Sequence, residues 1–426
     1  MPIKVCDAIM GSGKTSAIIS MMNSNPRNKY LYITPLLSEA DRIVENCPAL
    51  QFVSPSNKIS QFGFKKQTHL QELIREGNNI AITHALFTGS TQETLSLIKE
   101  TGYTIIIDEA VDVFKQANVT NSDYELVKAA GLIVEDEHNK NTYTVSDNSY
   151  SSGKLQEFFV LARSNRLVHL QGDTKSIYYW SLAKELFEIS EEIYILTYMF
   201  HSQTLRWYFD LNEIKYEYIY INKDRDGHYS FTDSLTYMPA YVSHLSDMIH
   251  IFENEKLNEI GNNKTALSSS WYDRALKNKD NGKMDRLKKN LANFFTNYNR
   301  NIPASSRMWS SYKKGTGAIR TKGFYNSNLE YNCKATNIYS DKRVLAYCVN
   351  IFLHPQEKTY FLQNQIEIDE DAQALATMLQ WIWRSAIRNG QEIWIYVPSK
   401  RMRNLLKKWI KETQQLYYRI NQSKEA

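Results

Sequence analysis

The stretch Ile3-Lys4-Val5-Cys6-Asp7-Ala8-Ile9-Met10-Gly11-Ser12-Gly13-Lys14-Thr15-Ser16 decides how the rest of the chain is read. Ile3–Ile9 is strand-like, a glycine turn follows, and Thr15–Met22 has helical character. Gly11 and Gly13 let the backbone curl until several N–H groups converge, which is the geometry that holds phosphate oxygens. A helix starting near Thr15 adds the positive end of its dipole. Lys14 can reach β and γ phosphates, and the Thr15 hydroxyl can be offered to magnesium. The first position of the pattern is Ala8 where glycine is usual. Gly11, Ser12, Gly13, Lys14, Thr15 and Ser16 are therefore the expected nucleotide-binding set, with ATP and Mg2+ as the expected cofactors.

A second stretch supports the first. Thr104-Ile105-Ile106-Ile107-Asp108-Glu109-Ala110 is a buried apolar strand ending in two adjacent carboxylates. A strand end beside a phosphate-binding loop is where a magnesium-holding Asp belongs, which is the role expected of Asp108. Glu109 then points differently and can orient or deprotonate a water attacking the γ phosphate in line. Together the two motifs predict nucleoside triphosphate hydrolysis.

Outward from these motifs, strand and helix signals alternate. Strands are expected at Lys29–Thr34, Asn79–Thr83 and Thr104–Asp108, and helices at Leu36–Glu45, Gln67–Glu76 and Thr91–Glu100. That rhythm argues for βαβ units and a parallel sheet. The polar stretch Val134–Tyr150 looks like an exposed hairpin or excursion. A second alternating block begins near Arg166, with strands at Arg166–Leu170, Glu192–Tyr198 and Lys215–Ile221 and a helix at Ala240–Phe252. The last block reads as strand Leu345–Phe352, helix Asp371–Arg388, strand Glu392–Val397 and helix Lys400–Gln414. The simplest architecture is two α/β lobes, 1–188 and 189–426, joined near 185–192.

Composition agrees. The 426 residues are 42% apolar and 23% charged, enough for two substantial cores and too apolar for wholesale disorder. No run approaches the roughly 20 apolar residues that a bilayer span requires. The N-terminus shows no basic n-region or cleavage pattern, so a soluble chain in the cytoplasm is expected. Cys6, Cys47, Cys333 and Cys348 are scattered without a CxxC pair, which makes a zinc site or disulfide framework unexpected and fits a reducing compartment.

At this point the residues resemble a family. The loop and Asp108-Glu109-Ala110-Val111 look like motifs I and II of superfamily 2 helicases, related to the DEAD/DEAH group with Val at the fourth position. Tyr32-Ile33-Thr34-Pro35-Leu36 resembles motif Ia, and Ile82-Thr83-His84-Ala85 resembles motif Ib. Gln171-Gly172-Asp173-Thr174 stands where motif III would fall, though its Gly-Asp is more like superfamily 1. Glu192–Met199 resembles motif IV, and Lys334-Ala335-Thr336-Asn337 motif V. The resemblance implies an α/β fold of two RecA-like P-loop NTPase lobes with mainly parallel sheets. It implies backbone contacts to nucleic acid from Thr34, Thr83, His84 and Thr336, which suits phosphate recognition without base reading.

In Asp371–Arg388 the apolar residues Leu375, Leu379, Ile382 and Ala386 share one helical face, while Gln380, Arg384 and Arg388 fall four apart on the other. An arginine presented from a second lobe to a γ phosphate could stabilise the transition state. The segment Gln380–Arg388 resembles motif VI of superfamily 2, with Trp383 replacing the usual Gly and the last Arg one residue late. The expected catalytic set is Lys14, Glu109, Gln380, Arg384 and Arg388. The run Gln380–Arg401 is also similar to small phage-encoded helicases. An ATP-dependent DNA helicase or translocase is implied, acting in phage replication on single-stranded or tailed duplex nucleic acid, DNA favoured over RNA, with replication proteins as partners.

Net charge is only +5, but its distribution is uneven. Between Trp271 and Glu330 stand 13 Lys/Arg against four acids, interleaved with nine aromatics. Cations that follow a backbone and rings that stack on bases suit strand binding. The same rings could equally form a small core under a skin of solvated lysines. The second lobe is thus expected to carry a basic, aromatic-rich insertion at about 223–330. Three other functions compete: a packaging-type motor, a small-molecule phosphotransferase, and a nucleic-acid-binding protein switched by nucleotide. Stimulation of ATP hydrolysis by single strands separates them.

Overall fold

The computed structural model describes residues 3–56, 66–117, 119–137, 141–146, 155–163, 166–170, 177–180, 182, 184–190, 192–277, 282–298, 301–320, 323–324, 326–333 and 338–425. The chain divides into two compact units. The first comprises Met1–Asp7, Thr15–Ile219 and Leu353–Ile368; the second comprises Ala8–Lys14, Tyr220–Phe352 and Asp369–Ala426. The class is α/β, two lobes of the RecA-like kind with mainly parallel sheets. Among the described residues no helix is long and apolar enough to cross a membrane.

The first unit is built on β1 (Ile3–Asp7), β2 (Lys29–Thr34), β3 (Ile80–Thr83) and β4 (Tyr103–Asp108). All six residues of β4 are buried, as expected of a parallel strand covered on both faces. The chain then leaves this sheet. Strands β5 (Phe114–Gln116), β6 (Ile133–Glu135), β7 (Thr142–Val145), β8 (Leu167–His169) and β9 (Ile177–Trp180) form a separate antiparallel sheet, ordered β5-β9-β8-β7-β6. Phe114 stacks on Tyr178 and on Tyr360, from the helix Pro355–Gln363 that returns to this unit. The chain rejoins the parallel sheet as β10 (Ile193–Thr197) and β11 (Tyr216–Lys223). Neighbours run β11-β1-β10-β4-β2-β3, every pair parallel.

This order corrects two expectations. The segment Glu192–Met199 does not open a second lobe: its strand β10 lies between β1 and β4, with Tyr194 opposite Lys4 and Leu196 opposite Asp108. All five residues of β10 are buried, so only a central slot with both faces covered suits them. The strand in Arg166–Leu170 does not open an alternating α/β block either, because it belongs to the antiparallel sheet. Gln171–Thr174 lie outside the described residues.

In the second unit, Tyr220–Lys223 of β11 pair antiparallel with β12 (Tyr229–Thr232). A four-stranded parallel sheet follows, from β13 (Ile249–Ile251), β14 (Arg307–Ser310), β15 (Val344–Tyr347) and β16 (Ile393–Tyr396), in the order β13-β16-β15-β14. The helix expected over Ala240–Phe252 is instead a 3-10 turn, one helical turn and β13. Ile249 and Ile251 pair with Ile393 and Ile395, and sheet pairing overrides the local helical pattern. Of the basic aromatic stretch, Tyr272, Phe294, Phe295, Trp309 and Phe324 are buried in this unit's core beside Tyr396, Val344 and Cys348.

The helix expected over Asp371–Arg388 also ends early. It spans Glu370–Ile382, capped by Asp369 Oδ1 on the Ala372 N–H at 2.8 Å. A turn and the 3-10 segment Ala386–Asn389 follow. Trp381, Ile382, Trp383, Ala386 and Ile387 are all buried, a run too dense for one helical stripe to cover. Gln380, Arg384 and Arg388 therefore do not share a helix face. Gln380 is half-buried on the helix, Arg384 is buried in the turn, and Arg388 is exposed in the 3-10 segment.

Candidate functional site

Parallel strands deliver their carboxyl ends to one sheet edge, and ligands of open α/β sheets bind there. In the first unit β1 ends at Asp7, β10 at Thr197 and β4 at Asp108, with Asp7 opposite Thr197 and Leu196 opposite Asp108. Asp108 is 8% exposed, and its Oδ2 accepts a hydrogen bond from the Tyr32 hydroxyl at 2.5 Å. Burial, with the Asp108 charge beside it, pushes the Tyr32 phenol well above its ordinary range, so Tyr32 stays a donor. His84 Nε2 lies 2.9 Å from the Asp108 carbonyl oxygen, which requires the tautomer protonated at Nε2. Asp108 is thus fixed through both side chain and backbone.

Glu109 is half-exposed at φ +60°, while its N–H still donates to the Leu196 carbonyl at 2.9 Å. A left-handed non-glycine residue stores about 1–2 kcal/mol, and such strain clusters at working sites. The kink swings Glu109 off the strand direction that buries Asp108.

Asp7 organises the same edge. Its two carboxylate oxygens accept the Met199 and Phe200 N–H groups at 2.7 and 2.9 Å, fixing the turn after β10 with Met199 at φ +58°. In that turn Gln203 Nε2 donates to Thr197 Oγ1 at 2.8 Å and to the Tyr198 carbonyl at 3.0 Å. Thr197 and Gln203 escape the sequence reading because β10 is assigned there to the other lobe. Thr34 and Thr83 are register partners at the ends of β2 and β3. Thr34 is fully buried with its hydroxyl unpartnered, and Thr83 Oγ1 caps the following helix by accepting the Leu86 N–H. Thr336 lies outside the described residues.

The loop itself, Ala8–Lys14, carries Gly11 at φ +72° and Gly13 at φ +91°. The Ser12 N–H donates to the Ile9 carbonyl at 3.2 Å, and Lys14 Nζ donates to the Ile9 carbonyl at 3.1 Å and to that of Ala8. Two residues not foreseen from sequence close on it: the Tyr241 hydroxyl donates to the Met10 carbonyl, and a β-carbon on Gly13 would fall 2.3 Å from the Tyr229 ring. Only the turn Asp226-Gly227 ahead of Tyr229 hints at the hairpin, and nothing local gives its target. The loop fits a polyphosphate in that Ser12 Oγ is buried without a partner and Gly11 and Gly13 both take the left-handed backbone that curls the loop; the space beside Gly13 is taken by the Tyr229 ring. A buried carboxylate and a threonine hydroxyl are hard oxygen ligands of the kind magnesium takes. Thr15 and Ser16 begin the helix Lys14–Ser24 and are half-buried.

A parallel sheet whose first strand runs into a glycine-lysine loop, in a chain with a second parallel-sheet unit, defines an α/β protein of two parallel-sheet units. Residues 243–410 match the YonV C-terminal Rossmann-like domain. The whole chain is 37% identical over 421 residues to the SPbeta prophage-derived uncharacterized protein YonV of Bacillus subtilis (strain 168), spanning 96% of this chain and 98% of that protein. The chain belongs to the YonV family. Among solved structures it is similar to an XPD helicase, at 12% identity and TM-score 0.46 over 95% of this chain and 94% of that one. It is also similar to Xpd4 of S. tokodaii, at 11% identity and TM-score 0.41 over 96% and 94%.

Proposed function

We propose that this YonV-family chain is an ATP- and Mg2+-dependent nucleic-acid helicase or translocase. One observation carries the reading: β1 runs into the glycine-lysine loop, β4 ends in the buried Asp108 and the left-handed Glu109, and β10 holds the two strands in register. Gly11, Ser12, Gly13, Lys14, Thr15 and Ser16 hold the triphosphate, with Lys14 on the β and γ phosphates. Thr15 and Asp108 hold Mg2+, which when bound neutralises charge on the phosphate oxygens. Glu109 takes a proton from water as its oxygen bonds to the γ phosphorus and the bond to the β–γ bridging oxygen breaks. Gln380, Arg384 and Arg388 engage the γ phosphate.

Thr34, Thr83, His84 and Thr336 act on the nucleic-acid backbone. For His84, the bond to the Asp108 carbonyl supplies a direct link between strand grip and metal carboxylate. The prophage origin of YonV supports a role in phage DNA replication inside a host cytoplasm, on single-stranded or tailed duplex DNA and alongside replication proteins. The test is the ATP hydrolysis rate with and without single-stranded DNA, followed by strand displacement on 5′- and 3′-tailed duplexes. Stimulation severalfold by the strand is expected; an unchanged rate would overturn the reading.

A further inference from the structure

The carboxyl edge of the second unit's sheet opens on a cavity of about 650 Å3, lined on one side by Ser311–Lys314, which leave β14, and on the other by Glu330, Tyr331 and Asn332. This is the edge at which open parallel sheets take ligands. β14 and β15 end there in register partners, Ser310 and Tyr347, and the hydroxyl of each is buried with no hydrogen-bond partner. Tyr347 lies near Tyr312 and Tyr331. The side chains of Ser310 and Tyr347 lie behind the cavity wall, fully buried, and the lining proper starts at Ser311.

The lining is specific in kind. Tyr312 and Tyr331 meet with ring centroids 5.2 Å apart and planes at 60°, both half-buried, and the Tyr312 hydroxyl is anchored on the Asn350 carbonyl at 3.0 Å. Tyr312 packs on the edge of this unit's core and against Tyr272, and Tyr331 directly follows the basic aromatic stretch. Lys313 is exposed and makes no ion pair among the described residues, whereas Lys314 is held by Asp273 at 2.7 Å. With Lys314 paired to Asp273, Lys313 is the lysine of the lining left to meet an anion, and Glu330 across from it keeps the cavity close to neutral. A single lysine suits one phosphodiester and falls far short of a free triphosphate.

We propose that this cavity takes one nucleotide of a single-stranded nucleic acid, its base against Tyr312 and Tyr331 and its phosphodiester towards Lys313. The proposal rests on the motor reading for the identity of the strand and adds a stacking site to it. The test is fluorescence anisotropy of a labelled oligo(dT) of about 20 nucleotides on the full chain, across a salt series. Tyr331→Ala is expected to bind about tenfold more weakly at fixed salt. Lys313→Ala is expected to lower the salt slope by about one. ATP hydrolysis without strand should be unchanged in both.

Lys313→Ala changes an exposed side chain that no core residue packs on, so it covers the case that Tyr331→Ala misfolds. If the wild type binds and both variants bind as it does, the cavity assignment falls while the motor reading stands. If the wild type shows no strand binding, the motor reading falls first. If ATP displaces oligo(dT) equally from wild type and Lys14→Ala, the cavity holds free nucleotide and the strand assignment is overturned.

Discussion

The two parallel sheets finish their carboxyl edges with opposite chemistry. In the first unit the edge carries Asp7 and Asp108, and donors hold both carboxylates: two backbone N–H groups on Asp7, the Tyr32 hydroxyl on Asp108. In the second unit the edge carries Ser310 and Tyr347, hydroxyls that hold nothing. A held carboxylate is fixed in its orientation in advance, which is the preorganisation that the proposed Mg2+ site at Asp108 would use. An unpartnered hydroxyl has no such hold. The largest effects should therefore come from the first edge and appear in turnover. Lys14→Ala and Glu109→Gln are expected to lower phosphate release from ATP by a factor of ~10²–10⁴ while oligonucleotide binding stays near wild type. Glu109→Gly sharpens the point, because it should raise the unfolding free energy by about 1 kcal/mol while abolishing turnover. Full ATPase activity in either of the first two variants would remove the role assigned to that residue.

The next largest effect concerns the held carboxylates themselves. Asp7→Ala strips the partners from the Met199 and Phe200 N–H groups and releases the turn that Met199 enters at φ +58°. Charge-assisted bonds of this kind contribute about 1.5 kcal/mol or more each, so a loss of about 3 kcal/mol is expected in denaturant unfolding. A loss under about 0.5 kcal/mol would mean the first edge is not preorganised in the sense argued.

How much of this edge shows in the sequence depends on how local the cause is. β1, its glycine turn and the helix after it are set by neighbours within a few residues, and Lys29–Thr34 is a strand in pattern and in structure alike. β10 is as apolar as β4, yet a buried strand carries no mark of which sheet it enters. The excursion through β5–β9, antiparallel and rich in short strands, obscured that it returns to the first sheet. Arg384 and Arg388 show the converse failure: a correct helical period continued past Ile382, where burial of Trp383, Ala386 and Ile387 took over. Tyr229 and Tyr241 reach the loop from more than two hundred residues away, and no local pattern announces such a contact.

A third carboxylate tests whether holding, and not mere burial, distinguishes the edge. Glu357, on the helix Pro355–Gln363, is largely withdrawn from water, and burial pushes its carboxyl up to about 7; a bond from Tyr178 only partly opposes this and the Asp112 charge adds to it. Its folded value lies above its unfolded one, so the folded state binds the proton more tightly. The associated stability is fully present below about pH 4.5 and is lost as pH rises through about 7. Wild type should thus lose about 2 kcal/mol between pH 5 and 8 relative to Glu357→Gln, read from paired unfolding curves. Parallel curves would show that Glu357 is solvated or held after all.

The smallest effects should be the most diagnostic, because the same substitution is expected to act with opposite signs at the two edges. Tyr32→Phe removes the donor to Asp108 and leaves a buried carboxylate with one bond fewer, which should cost about 1.5 kcal/mol. Tyr347→Phe removes a hydroxyl that has no partner to lose and relieves its desolvation, so stability should stay level or rise by up to about 1 kcal/mol. Volume, ring and burial are matched in the two changes, since both tyrosines are essentially inaccessible, at 1% and 0% exposure. What differs is only whether the hydroxyl is spoken for. Equal losses in both variants would mean that the Tyr347 hydroxyl is satisfied, by water for instance, and the contrast between a finished edge and an unfinished one would not hold.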